Sequence, residues 1–103
     1  MRRPVLPGDI SAAARALLAV APEARGGVCR RIFSGAVEAL VHEKLYGRPH
    51  PRWGDGSQSA AARRWQLADE PFWDDPAYLR CLQMVLGGVA ALADEAEGGA
   101  PAG

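Results

Sequence analysis

The side chains that ligate metals or serve as bases and nucleophiles are few, and their spacing decides what they can do. Cys29, His42, His50 and Cys81 stand singly along the chain, whereas a zinc centre draws four such ligands from paired spacings. No metal site and no cofactor are therefore expected. His50, Asp55, Ser57 and Ser59 contain the residue types of a nucleophile–base–acid set, but they occupy one short stretch. A triad needs residues converged by a scaffold, and Asp55 and Ser57 have a simpler task as helix caps. Gly54-Asp55-Gly56-Ser57 lacks the lysine and preceding strand of a phosphate-binding loop and the spaced carboxylates of a calcium loop. The chain is accordingly expected not to be an enzyme.

Two other groups of side chains point to binding. Trp53, Trp65, Phe72 and Trp73 cluster in the middle of the chain, and large aromatics of this kind either pin loops to a core or anchor a partner. Trp65 suits the first role. Trp53 answers to either description and joins Phe72 and Trp73 as a partner-binding candidate. The dipeptides Arg30-Arg31 and Arg63-Arg64 would meet phosphates if their helices lay side by side. At a salt slope near 0.9 per phosphate, about four such contacts support only weak, salt-sensitive nucleic-acid binding.

The elements that carry these residues are all helical. After an extended lead-in over residues 1–8, Asp9 or Ser11 can cap a helix from about residue 10, with Ile10, Ala14, Leu17, Leu18 and Ala21 as a narrow apolar stripe. Pro22 restarts the chain. A second helix follows, ordered from about Gly27, with Val28, Ile32, Phe33, Ala36, Val37, Leu40, Val41 and Leu45 as its stripe and Gly47 as its C-cap. Residues 48–56, with two prolines and three glycines at or beside their ends, form a central Pro/Gly/Trp loop. Asp55 with Gln58, or Ser57 alone, opens a third helix over about 57–67. Asp75 and Pro76 then start a fourth, in the favoured order of acidic cap and first-turn proline. Tyr78, Leu79, Leu82, Val85, Leu86, Val89 and Leu92 lie among other apolar residues there, so this helix is expected to be buried on more than one side. Residues 94–103 look like a disordered acidic tail. The expected fold is all-α: a compact bundle of about four helices over 9–93, with disordered termini.

At 103 residues the chain makes one small domain, which buries only about 60–65% of its unfolded surface. A second copy would supply what its core lacks. Leu82, Val85, Leu86 and Val89 are therefore expected at a homo-oligomer interface. Lys+Arg and Asp+Glu balance at twelve each, which argues against a general nucleic-acid coat or membrane-surface binder. The balance conceals a dipole: residues 1–68 hold eleven cations and five anions, and 69–103 hold Arg80 against seven carboxylates. Two isolated cysteines and no leader suggest a reduced, cytoplasmic setting. The run Met84 to Ala93 is shorter than the roughly 18–20 residues of a membrane span.

The order of segments carries a resemblance. Pro7-Gly8-Asp9-Ile10-Ser11-Ala12-Ala13-Ala14-Arg15-Ala16-Leu17-Leu18, then His50-Pro51-Arg52-Trp53-Gly54-Asp55-Gly56-Ser57, then Glu70-Pro71-Phe72-Trp73-Asp74-Asp75-Pro76-Ala77-Tyr78-Leu79 together resemble the small terminase subunit of alphaproteobacterial gene transfer agents. The resemblance implies a helical, ring-forming adaptor that recruits or regulates the large terminase during phage-like DNA packaging and performs no catalysis itself. It departs from phage small terminases in one respect: one helix precedes the second, too little for a separate DNA-reading domain. Weak or nonspecific DNA contact through Arg30, Arg31, Arg63 and Arg64 is the most expected. A small DNA-binding regulator is the alternative from another class.

Overall fold

The computed structural model describes residues 4–98. It is all-α, with helices α1 (Pro7–Leu18), α2 (Arg25–Tyr46), α3 (Gln58–Ala62) and α4 (Pro76–Gly98), and a single 3₁₀ turn, Pro22–Ala24, before α2. Among the described residues there is no strand. The disorder expected at the chain ends falls on 1–3 and 99–103, outside the described residues.

α1 starts at Pro7, earlier than residue 10, because Asp9 caps from inside the helix. Its Oδ2 accepts the Leu6 N–H at 2.9 Å, and Pro7 occupies the first helical position, where its missing N–H costs nothing. At the other end, Arg25 Nε donates to the Leu17 carbonyl at 2.9 Å, placing a cation where helix carbonyls are unpaired. Ile10, Ala12, Ala13, Ala14, Ala16 and Leu17 are all buried. α1, not α4, is thus the helix covered on several sides. Its alanines barely register in a hydropathy pattern, yet their small size lets α2, α3 and α4 all approach it.

α4 covers α1 with one stripe, Tyr78, Cys81, Leu82 and Val85. Its opposite face is open, and Leu79, Met84 and Leu86 are exposed. The helix also runs on through the stretch expected to be a tail, as far as Gly98, since Ala and Glu extend an established helix readily. Pro76–Glu95 has a mean hydropathy of 1.3, long and apolar enough to cross a membrane by length and composition. The shorter run Met84 to Ala93 did not anticipate this, because Tyr78, Leu79, Cys81 and Leu82 extend the apolar stretch across Arg80.

α2 is rotated from expectation by about one residue. Its core face is Cys29, Ile32, Gly35, Ala36 and Ala39, and the larger Val37, Val41 and Leu45 of the expected stripe are exposed. α3 ends at Ala62, well short of residue 67. Residues 63–75 leave the helix because Ala68 is held to α1: its N–H donates to the Arg15 carbonyl at 3.1 Å, and Arg15 Nε donates back to its carbonyl at 2.7 Å. The whole measures 39 × 38 × 23 Å. Val37, Val41 and Leu45 on α2 and Leu79, Met84 and Leu86 on α4 stay exposed, so among the described residues no further element covers those faces.

Candidate interaction surface

The central loop is built to place one side chain. His50 and Gly54 exchange backbone hydrogen bonds of 2.8 and 3.0 Å, and His50 Nδ1 accepts the N–H groups of Arg52 and Trp53 at 3.0 and 3.2 Å. The tight turn needs Gly54 at φ 85°, in the left-handed region open to glycine. Trp53 is thereby driven inward against Gly35 of α2, where a Cβ would come within 2.5 Å of Trp53 Cδ2. The Arg31 guanidinium lies 5.0 Å from the Trp53 ring on its outer side, and Trp65 packs 6.1 Å away. Trp53 is therefore a buried core residue and not a free partner-binding side chain, a correction that follows from the glycine on α2 opposite it. Asp55 and Ser57 work as caps: Asp55 Oδ1 accepts the Ser57 N–H at 3.0 Å, and Ser57 Oγ accepts the Ala60 N–H at 3.1 Å. His50 and Asp55 thus both accept hydrogen bonds from the loop's own backbone.

The exposed aromatic pair sits on the connection into α4. Phe72 is 87% and Trp73 57% exposed, on a turn closed by the Asp75 N–H to the Phe72 carbonyl at 3.0 Å. Asp75 then caps α4, accepting the Tyr78 N–H at 2.9 Å. Glu70 Oε2 accepts from both Trp73 Nε1 (3.1 Å) and Tyr78 Oη (2.7 Å). These two donors, Tyr78 first, hold the Glu70 carboxyl below the usual glutamate range. Burial, and the carboxylate it faces, push the Tyr78 hydroxyl well above the usual tyrosine range. The turn is therefore rigid while its aromatic face is bare.

The expected subunit contacts divide between inside and outside. Leu82 and Val85 are buried against α1 within the protomer and so are corrected from interface to core, because the inward stripe of α4 runs through them. Leu86 is 50% exposed, and Val89 is half-buried at the edge of the core. α4 crosses α2 where Gly88 meets the Phe33 ring; a Cβ on Gly88 would lie 2.6 Å from Phe33 Cε2. The crossing opens a notch on each side. One, of about 600 Å³, is lined by Val37, Leu40, Val41 and Val89 and closed at its base by Asp9 and Gln58. Gln58 is buried, and its Oε1 accepts no hydrogen bond. The other, a shallower trough of about 520 Å³, is lined by Arg30, Phe33, Ser34, Val37, Met84 and Ala91.

Arg30, Arg31, Arg63 and Arg64 are all exposed, with Arg31 engaged on Trp53. Cys29 and Cys81 are free and buried, and burial raises both thiols. His42 and His50 come together, with ring centroids 4.8 Å apart, but among the described residues no group of three or more His, Cys, Asp or Glu is placed to hold a metal ion. Sequence reasoning missed Gly35, Arg15, Arg25 and Glu70. The glycine alone left a signal there, as a small residue inside a long helix.

No curated protein and no solved structure matches the chain. One family model does, over residues 3–89, a span that takes in the central loop, the aromatic turn and the α2–α4 crossing. The chain belongs to that family, the domain of unknown function DUF7742.

Proposed function

We propose that this protein is a non-catalytic, self-associating helical adaptor of phage-like DNA packaging, which works in the cytoplasm to recruit or regulate the large terminase. The observation that carries the reading is the apolar surface that α2 and α4 leave uncovered. Leu79, Met84 and Leu86 on α4 and Val37, Val41 and Leu45 on α2 all face outward, and contiguous apolar patches beyond a few hundred Å² mark association surfaces in soluble proteins. The packaging context rests on the resemblance of the three segments quoted above. All of them serve the fold in identifiable ways: the first supplies the central helix, the second the Trp53 turn, and the third the Phe72–Trp73 turn and the start of α4.

Light scattering at tens of micromolar, followed by co-purification with a co-expressed large terminase from the same genome, tests the reading. The expected result is a mass above one protomer and a stable complex; a strictly monomeric species that leaves the large terminase unbound would sink it. The exposed Arg30, Arg63 and Arg64 favour a second reading, a small DNA-binding regulator. A gel shift separates the two, since the regulator loses its shifted band when all four arginines become alanine.

A further inference from the structure

The molecule carries two unpartnered apolar features of opposite shape. Phe72 and Trp73 project from a turn held by the Asp75–Phe72 backbone bond and the Glu70 carboxylate, so little conformational freedom is left to lose on binding. The trough beside the α2–α4 crossing is shallow and mainly apolar, lined by Phe33, Ser34, Val37, Met84, Gly88 and Ala91. Each lacks what the other offers.

Charge distinguishes this trough from the notch across the crossing. The aromatic turn is flanked by Asp69, Glu70, Asp74 and Asp75. The trough is bordered by Arg30, with no acidic side chain in its lining, and lies along the N-terminal half of α2, whose first turn holds no acidic residue. The notch on the far side carries one charge of each sign in its lining, Asp9 and Lys44, and so lacks the trough's net positive character.

One protomer cannot join its own two halves. Gly88 lies thirteen residues beyond Asp75 on one continuous helix, roughly 20 Å away at 1.5 Å per residue, and no aromatic side chain spans that distance. The geometry points to a head-to-tail contact in which the Phe72–Trp73 turn of one copy seats in the Arg30–Phe33–Met84 trough of the next. This inference rests on the self-association proposed above and names its contact. Such a contact is heterologous, so it propagates around a ring or along a filament instead of stopping at a symmetric pair. Two aromatic side chains cover about 300–500 Å², less than the roughly 800 Å² per partner of a stable pair, so a single contact is weak and closure is what makes the assembly persist.

Two variants of the full chain test it. Phe72→Asp removes the plug at a position so exposed that folding is unaffected; Met84→Glu with Ala91→Glu blocks the trough at two exposed helix positions. Melting followed by circular dichroism checks that each is folded. Sedimentation velocity is then run on wild type, each variant alone and the equimolar mixture. The expected pattern is an associating wild type, each variant weakened at least tenfold and monomeric alone, and a mixture, run at the highest attainable concentration because its single contact cannot close, that forms a one-to-one dimer and goes no further, since it holds one working plug and one working trough. Folded variants that still associate like wild type, or a mixture that stays monomeric, would overturn the plug and trough while leaving self-association through another face intact. A wild type that is monomeric at every concentration would overturn both.

Discussion

Single side chains decide how closely these helices meet. Gly35 and Gly88 mark the two places where α2 meets an aromatic ring or supplies one, but the two differ in what a methyl group would displace. At Gly35 it would meet the buried Trp53 indole, which Arg31 and Trp65 hem in. At Gly88 it would meet the tip of Phe33, a half-buried side chain able to turn aside. Gly87 has open space around it. Gly35→Ala is expected to destabilise the fold by about 1–3 kcal/mol through overpacking, whereas Gly87→Ala should stabilise it by about 0.5–1 kcal/mol through helix propensity. Thermal unfolding of the two variants against wild type checks both signs. The Gly35 result was not visible from the sequence, because a glycine inside a helix announces a close approach without saying what approaches.

At the scale of elements, the connections between helices do as much as the helices. The Asp9 carboxylate ties the start of α1 to α3 by accepting the Ser59 N–H at 3.0 Å, and Arg15 ties the end of α1 to Ala68. The turn before α4 depends on a titrating group. Glu70 has its pKa depressed below its ordinary value of 4.5 by the Tyr78 and Trp73 donors, so its stabilisation of the turn is present above that value and is lost as the pH falls through the lower folded one. Tyr78, raised from 10.0, contributes below its ordinary value and loses that contribution only at more alkaline pH. Trp73 fluorescence should therefore be flat through neutral pH and change on the acid side. In Glu70→Gln, which cannot titrate, that acid transition should vanish. An acid transition unchanged in the variant would show that another group controls the turn. The Pro22 restart, the Gly47 cap with φ 70° and the Asp75–Pro76 start of α4 were all legible, because each depends on local backbone chemistry, whereas the start of α1 at Pro7 was not, because it turns on the Asp9 side chain reaching back to the Leu6 N–H. The early end of α3 was not, because the Arg15–Ala68 hydrogen bonds that pull the chain away join residues 53 positions apart.

The whole molecule, 39 × 38 × 23 Å, carries its charge unevenly along the chain. Its cationic first two-thirds and anionic last third sum to zero, so net-charge repulsion between copies is small while attraction between the acidic turn of one copy and Arg30 of another remains. Association is expected to weaken at least several-fold between roughly 0.05 and 0.5 M salt, because the Debye length contracts below the separation of surface charges. Equilibrium sedimentation across that range checks it. An assembly insensitive to salt would assign the contact to apolar burial alone and remove charge as the selector between the two notches.

By itself the sequence determined the fold class, the starts of α3 and α4, the central loop and the excess of apolar surface, since these follow from proline and glycine chemistry, 3.6-residue periodicity and chain length. Tertiary structure decided which apolar residues lie inside. α1 and α2 turn alanines, Cys29 and Gly35 toward the core, side chains too small to stand out in a pattern that weighs hydrophobicity and not volume. Close approach of those small faces turned Val37, Val41 and Leu45 outward, drew Trp53, Leu82 and Val85 into the core, and left Phe72, Trp73 and Leu86 at the surface.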